Sequence, residues 1–562
     1  MIEKRWMLKK NDSKIAQKLA EELGVNEIIA KLLVLRGIRG FEEAKRFFRP
    51  KLNYLHDPFL MKNMSEAVKR LELAINKKQN ILVYGDYDVD GTTSVAMVYS
   101  FLKKHTRKVS YYIPCRYNEG YGISLQAIDH AKKTNIALII ALDCGIRAIN
   151  QVDYATKNAI DVIICDHHNP SKVTPDATAI LNPKQANCNY PYKELSGCGV
   201  GFKLMQAYCI NNSIPFDDIS EYLDLVAVSI AADIVPMNGE NRVLAFYGLK
   251  QINSIPRAGL KALMDISFID KELSISDISF GIAPRINAAG RIEHAKKAVE
   301  ILVEQDYEQA YSIAEKIEQN NRERKNLEKT ITQEAIQMVD KTRRSIVVFS
   351  EGWHKGVVGI VASRLVEMFY KPTIVLVEHD GIYTGSARSV RDFDVYEAIS
   401  KCSHLCEKFG GHKYAAGLSI KKKNIQSFIR DFETAVCEAI NADQLLPSIE
   451  ADLQIEINAI NWKLFRIIKQ FAPFGPLNPS PIFISNRLID TGYAKKIGSD
   501  KSHLRISLKT NHGIMPAIGF SMANLFEKVQ NGQEFNICYS ITENTWKGKK
   551  SLQVILRDIK NP

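Results

Sequence analysis

Four acidic clusters carry the chemistry this sequence makes available. The first is VYGDYDVDGTTS at residues 83–94, in which Asp86, Asp88 and Asp90 alternate ahead of Gly91. The second is Asp143 in IIALDCG, the third Asp166, His167 and His168 in VIICDHHNP, and the fourth Asp233 in VSIAADIVP. Each follows a β-like apolar run, where a carboxylate is costly to bury unless it is paired or metal-bound. Taken singly, DYDVDG reads as well as a calcium-type loop or a turn, and DHH as a capping Asp before a solvated loop. Together, at successive strand ends of one sheet, they call for a cation. Mg²⁺ and Mn²⁺ prefer carboxylate oxygens, an imidazole tilts the choice toward Mn²⁺, and one His among several Asp favours a binuclear site.

The elements that must position these residues are legible around them. From Ile81 onward, short β-rich runs (ILVYGD, KVSYYIP, IALIIALDCG, DVIICDHHN, ATAILNP) alternate with helical stretches. That order predicts parallel βαβ units and a doubly wound sheet, with ligands at the carboxyl ends of its strands. Residues 14–50 read as short helices. Residues 300–342 show helical periodicity, dense charge and neither Gly nor Pro, as expected of a long helix bridging domains. A second α/β region follows from Ser345, with a flexible glycine turn expected at Gly410, and a β-rich segment runs from Pro447 to the end.

At 562 residues the chain is too long for one core, so three to four domains are expected. Its 46% hydrophobic and 25% charged content is ordinary globular usage and excludes a disordered chain. The longest apolar stretches, such as Ile136 to Leu142, are too short to span a bilayer, and the start MIEKRWMLKK lacks a signal-peptide pattern. A cytoplasmic location without a membrane is therefore expected. Ten Cys without a C-x-x-C pair suggest neither a disulfide framework nor a zinc site, and Cys402 and Cys406 are expected on one buried helix face. The net charge of +12 and pI near 9.0 hint at an anionic partner. Between Arg487 and Lys560, twelve Lys/Arg face six Asp/Glu in a strand-like pattern, as in a basic β module. GCGVGF at 197–202 lacks the G-x-G-x-x-G spacing of a dinucleotide turn and is read as structural. KGKK at 547–550 reads as a hairpin tip that could guide a nucleic-acid backbone.

The set GDYDVDGTTS, LDCG, CDHHNP and AADIVP resembles the four motifs of the DHH phosphoesterase superfamily. More narrowly, RYNEGYGIS (116–124), APRINAAGR (283–291), WHKGVVGIVASRL (353–365), GSARS (385–389) and FGGHKYAAG (409–417) resemble the bacterial RecJ family of single-strand-specific 5′→3′ exonucleases. The resemblance covers nearly the whole chain in the right order.

It implies a multi-domain α/β fold. An N-terminal helical segment (1–75) would precede a parallel-sheet DHH catalytic domain (76–300). A connecting helix (301–342) would join this to a DHH-associated α/β domain (343–445), followed by a C-terminal OB-like β-barrel (446–562). It also implies two divalent ions, Mn²⁺ or Mg²⁺, held by Asp86, Asp88, Asp90, Asp143, His167 and Asp233, with Asp143 bridging. Many members have His at the position of Tyr84, which would leave one ion more weakly held or replaced in its ligation by Asp86. His168 would contact the phosphate and Asp166 would orient the neighbouring imidazole. Arg116, Ser386, Arg388 and Ser389 resemble a 5′-phosphate clamp. Arg285, Asn287 and Arg291 would line the strand's path, and Tyr121, His354 and His412 are further strand-contacting candidates.

The activity expected from the resemblance is hydrolysis of single-stranded DNA from its 5′ end to mononucleotides in repair and recombination, by a monomer. Single-strand-binding protein and a helicase are the expected partners, and duplex DNA would be excluded by a narrow channel. Two alternatives remain: a DHH enzyme acting on oligoribonucleotides or cyclic dinucleotides, and a non-catalytic strand-binding scaffold.

Overall fold

The computed structural model describes residues 3–511, 513–530 and 532–562. The chain forms two compact units, one of Lys45–Glu323 with Phe471–Ser480, the other of the segment ending at Ala44 with Arg324–Gln470 and Pro481–Pro562. Among the described residues no helix is long and apolar enough to cross a membrane.

The first unit is built on a five-stranded, all-parallel sheet. Its strands lie in the order Val109–Tyr112, Asn80–Gly85, Ile136–Leu142, Asp161–Cys165 and Ala179–Leu181. The side chains alternate between two cores. Leu82, Tyr84, Ile139, Ala141, Val162 and Ile164 face one side, while Ile81, Val83, Leu138, Ile140, Leu142 and Ile163 face the other. Such two-sided burial is what the near-continuous apolar runs require. The sheet order reverses direction between Asn80–Gly85 and Ile136–Leu142, the switch point at which the loops diverge and open a crevice.

The helix Val89–His105 leaves the first strand at this crevice. Asp88 caps it, accepting from the Gly91 amide at 3.0 Å, and the basic residues Lys103, Lys104 and His105 fall in its last turn, matching both ends of the helix dipole. Gly91 is required here, because a Cβ would lie 2.3 Å from the Asp86 carbonyl oxygen and 2.6 Å from its amide nitrogen. The segment Phe471–Ser480 joins this unit through Arg242, whose guanidinium donates to the carbonyls of Phe471, Ala472 and Pro473.

One expectation is corrected in this unit. Asp233 does not follow a strand: VSIAAD lies at the end of the helix Leu223–Asp233. Leu223 through Ala231 are all buried, so apolar residues surround the helix and leave no amphipathic period to read. The helix stops where Ile234 turns left-handed, with φ 58°, two residues before Pro236.

The long helix runs from Tyr307 to Gln337 and carries the chain from one unit into the other. In the second unit, a mixed sheet lies in the order Cys406–His412, Ala415–Lys421, Ile382–Arg388, Thr373–His379 and Ile346–Ser350. The glycines of FGGHKYAAG are not a turn. Gly410 and Gly411 sit within the strand Cys406–His412 and Gly417 within the strand Ala415–Lys421, and the backbones pack so closely that a Cβ on Gly411 would lie 2.4 Å from the Ala415 carbonyl oxygen. Nor do Cys402 and Cys406 share a helix face: the helix Val395–Lys401 ends just before Cys402, and Cys406 opens the following strand. The C-terminal region forms a seven-stranded sheet from Leu453–Gln454 to Lys549–Lys560. Its longest hairpin turns at Lys547 and Gly548, both at positive φ, as a two-residue hairpin turn demands.

Candidate metal centre

Strand register brings the acidic clusters together. Gly85 pairs with Leu142 and Leu142 with Cys165, so Asp86, Asp143 and Asp166 emerge side by side at the carboxyl edge of the sheet. The Asp143 backbone is left-handed (φ 58°) and its amide donates to the Cys165 carbonyl at 2.8 Å. Its side chain packs against the start of the helix Gly197–Asn211. A Cβ on Gly197 would stand 2.6 Å from Asp143 Cβ and 2.8 Å from its Oδ1, so only glycine fits.

His167 Nε2 is the hub. It lies 3.2 Å from Asp143 Oδ1, 3.6 Å from Asp233 Oδ2 and 3.7 Å from Asp90 Oδ2. The donor atoms of Asp90, His167 and Asp233 lie within 4.8 Å of one another, as do those of Asp143, His167 and His168. His168 turns its Nδ1 to Asp166 Oδ1 at 2.7 Å, and Asp166 also accepts from the amides of Ile146, His167 and His168.

Electrostatics shows what the cluster lacks. Burial, then the charges of Asp90, Asp88, Asp233 and Asp86, push the Asp143 carboxyl well above the usual range. Burial and neighbouring carboxylates raise Asp86, Asp88 and Asp233 as well. Burial also lowers His167, keeping its imidazole neutral and thus able to ligate. Burial would raise Asp166, but the hydrogen bond and charge of His168 with nearby amides outweigh it and hold the carboxyl at about 2. Burial would lower His168, and Asp166 reverses this. Asp86 Oδ1, Asp143 Oδ1 and His167 Nε2 are buried without a hydrogen-bond partner. Carboxylate oxygens and a neutral imidazole nitrogen, converging and unsatisfied, are the donor set of a hard divalent cation with some affinity for nitrogen, so the residues fit Mn²⁺ or Mg²⁺.

Residues 80–230 match the DHH family, N-terminal domain, residues 343–438 the DHHA1 domain, and residues 451–558 the RecJ OB domain. The single-stranded-DNA-specific exonuclease RecJ of Bacillus subtilis is 37% identical over 561 residues, covering 99% of this chain and 70% of its own. The chain belongs to the RecJ family. The RecJ of Escherichia coli is 30% identical, with 95% of each chain covered. The crystal structure of RecJ from Thermus thermophilus in complex with Mn²⁺ superposes with a TM-score of 0.87 at 26% identity, covering 99% of this chain and 80% of that one. The same protein in complex with Mg²⁺ gives 0.79 at 25% identity. The chain is thus a hydrolytic nuclease of RecJ architecture, with acidic and imidazole groups placed for these ions.

Within this RecJ fold the ligand candidates fall into two sets. Asp90, Asp143 and Asp233 each approach His167 Nε2, with His168 beside Asp143. Asp86 and Asp88 neighbour Asp143 and act on it by charge but stand outside the tight groups. Tyr84 is fully buried, donates its hydroxyl to the Gly122 carbonyl at 2.6 Å and stacks on Tyr112. Its hydroxyl is thus engaged by the backbone, whereas the buried Asp86 oxygen lacks a partner.

The strand-contacting candidates have varied surroundings. Tyr121 is exposed, with its hydroxyl 3.1 Å from His168 Nε2 and 3.2 Å from the Asp143 carbonyl oxygen. The Arg116 guanidinium rests 4.6 Å over the Tyr87 ring. Arg285 is engaged by Glu318 at 2.7 Å and by the Gly281 carbonyl, which makes it a brace between the helix Ala283–Ile292 and the long helix. Asn287 is half-buried on the same helix, and the Arg291 carbonyl accepts from Tyr117.

In the other unit, Arg388 donates to Ser386 Oγ at 2.6 Å, and Gly359, in the first turn of the helix Val358–Phe369, leaves room for both. Ser389 instead donates its hydroxyl to the Phe393 carbonyl. His354 accepts from the Gly356 amide, and His412 is exposed at the end of its strand.

Sequence reasoning passed over the support beneath this site. The GCG of GCGVGF, read as structural, opens the helix Gly197–Asn211 and presents two amides to Asp90, and the buried Ser229 donates to the same carboxylate. A usable signal was present for Ser229: a lone polar residue four positions before Asp233 in an apolar segment shares its helix face.

Removing the cation should expose the charge conflict in the metal-free protein. These Asp groups have folded-state values raised above the ordinary 3.9, so their stabilising contribution is complete below about pH 4 and is lost as pH rises through the folded values. His167, lowered by burial, opposes the trend only weakly between pH 9 and 7, because an unfolded histidine is still mostly neutral there. In chelator, the melting temperature should therefore rise from pH 9 to 7 by more in wild type than in Asp233→Asn, because burial and then the charge of Asp90 push the Asp233 carboxyl up to about 9. Saturating Mn²⁺ should reverse that difference, because ligands must be deprotonated to bind. Melting curves at the two pH values, with and without Mn²⁺, check this.

Proposed function

We propose that this chain hydrolyses single-stranded DNA from its 5′ end, releasing mononucleotides in DNA repair and recombination, with two Mn²⁺ or Mg²⁺ ions as cofactors. The observation that carries this reading is the convergence of Asp90, Asp143 and Asp233 on His167 Nε2, where Asp143 Oδ1 and His167 Nε2 itself are buried without a hydrogen-bond partner. Bound divalent ions supply Lewis acidity to a phosphodiester and charge stabilisation to its leaving oxygen.

The chain's own residues do the rest. Asp90, Asp143, His167 and Asp233 would hold one ion, and Asp86 and Asp88, which act on Asp143 by charge, would extend the site for the second. Asp166 fixes the His168 ring through Nδ1 and favours its charged form, so Nε2 offers a proton to a phosphate oxygen. The Tyr121 hydroxyl borders that donor and would orient the nucleotide there. The Tyr87 ring supports Arg116 for contact with the DNA backbone. Arg388 and Ser386, beside the start of the helix Val358–Phe369, form a cradle suited to a terminal phosphate. The reading calls for a monomer working in the cytoplasm with single-strand-binding protein and a helicase. The domain boundaries follow it: an N-terminal segment to 75, the DHH domain at 76–300, a connecting helix at 301–342, the DHH-associated domain at 343–445 and the OB domain beyond.

Mn²⁺-dependent digestion of 5′-labelled and 3′-labelled single strands tests the polarity. The 5′ label should leave first; equal loss from both ends would overturn the direction. Arg388→Lys, which keeps the charge but removes the planar fork, should raise KM about tenfold for 5′-phosphorylated strands, the order of one charge-assisted hydrogen bond. It should have little effect on strands with a 5′-hydroxyl.

A further inference from the structure

The structure assigns Ser229 as a positioning residue for the metal centre: with the first turn of the helix Gly197–Asn211 it locks the Asp90 carboxylate in its ligating orientation. Asp90 is buried, at 2% exposure, and both its oxygens are engaged from outside the cluster. Oδ2 accepts from the Gly197 amide at 2.7 Å, and Oδ1 from the Cys198 amide at 2.8 Å and from Ser229 Oγ at 2.7 Å. Ser229 is itself fully buried, 2.7 Å from Ser196 Oγ, and Ser196 caps the helix by accepting from the Gly199 amide. Two amides at a helix start and one hydroxyl satisfy a buried negative charge and fix its plane. The Oδ2 edge then faces His167 Nε2 at 3.7 Å.

Ser229 is the one side chain among the three donors, so it can be removed without disturbing the backbone. It also stands one helical turn before Asp233 on the helix Leu223–Asp233, so a single helix face presents a ligand and the support of another ligand. A carboxylate left with two donors must be ordered by the incoming ion, which lowers affinity more than turnover.

The inference rests on the metal-centre reading, and direct Mn²⁺ binding separates the two. Apo wild type and Ser229→Ala would be titrated with Mn²⁺, reading free ion by electron paramagnetic resonance, beside circular dichroism in chelator and activity against Mn²⁺ concentration. Ser229→Ala should bind Mn²⁺ about 10–100-fold more weakly. Its unfolding in chelator should stay close to wild type, and turnover should recover to within about threefold at saturating Mn²⁺. Unchanged Mn²⁺ affinity in Ser229→Ala, with wild type binding, would overturn this assignment alone; absence of binding by wild type would overturn the metal-centre reading beneath it. Should Ser229→Ala not fold, Ser196→Ala reads the same support one bond further out. It should weaken Mn²⁺ binding by about tenfold, the lower end of the same range, and unchanged affinity there would equally overturn the assignment.

Discussion

Replacing Asp143 by Asn is expected to abolish hydrolysis while stabilising the metal-free protein. Its Oδ1 is buried without a hydrogen-bond partner and stands 3.2 Å from His167 Nε2, and four neighbouring carboxylates raise its pKa after burial itself. With the ion present, the carboxylate belongs to a set that acts as a unit, and loss of one essential member of such a set lowers kcat by about 10⁴-fold. Without the ion, the same charge is a liability. A neutral amide of equal shape keeps the packing against Gly197 and removes the repulsion, which should add about 1 kcal/mol, or roughly 2–4 °C in melting temperature for a domain of this size. Single-turnover digestion of a labelled strand and thermal unfolding in chelator check the two halves. Loss of activity accompanied by a fall in melting temperature would show that Asp143 serves structure rather than the ion.

Gly197→Ala should lower activity about 100-fold with no chemical group removed. The added methyl would meet Asp143 Cβ at 2.6 Å, its Cα at 2.9 Å and its Oδ1 at 2.8 Å, and neither Cβ nor Cα can move aside by a side-chain rotation. Asp143 already lies at positive φ, and Gly197 is tied through its amide to Asp90. The least costly response is a shift of Asp143 away from the helix. A displacement approaching 1 Å in a positioning group costs about 10²-fold. Mn²⁺ affinity should fall with the rate, because the moved residue is one of those proposed to hold the ion. Wild-type kinetics in Gly197→Ala would mean that the helix start yields instead.

The same pair of residues shows where sequence reasoning stopped. Asp143 was readable because a charge after the apolar run IIAL is rarely accidental, and DYDVDG and DHH were readable for the same reason. The parallel sheet was readable from its apolar strands spaced by helices. Gly197 and Ser229 were not, since a glycine or serine inside an apolar segment is chemically unremarkable until its neighbour across the fold is known. Arg285 illustrates the reverse. Its motif was legible, but not its partner: Glu318, thirty-three residues away, engages it at 2.7 Å.

By itself, the sequence determined the types and order of the candidate ligands and the α/β alternation that carries them, because charge burial and hydrophobic periodicity are local properties. Tertiary structure decided three things that periodicity cannot express. It made VSIAAD a helix, because burial on every side erased the amphipathic signal. It placed Gly410 and Gly411 of FGGHKYAAG in a strand rather than a turn, and at Gly411 the facing backbone approaches too closely for a Cβ. It also joined Asp90 on one helix to amides and a hydroxyl more than a hundred residues away, because the sheet order brings the two helices that carry them to the same edge.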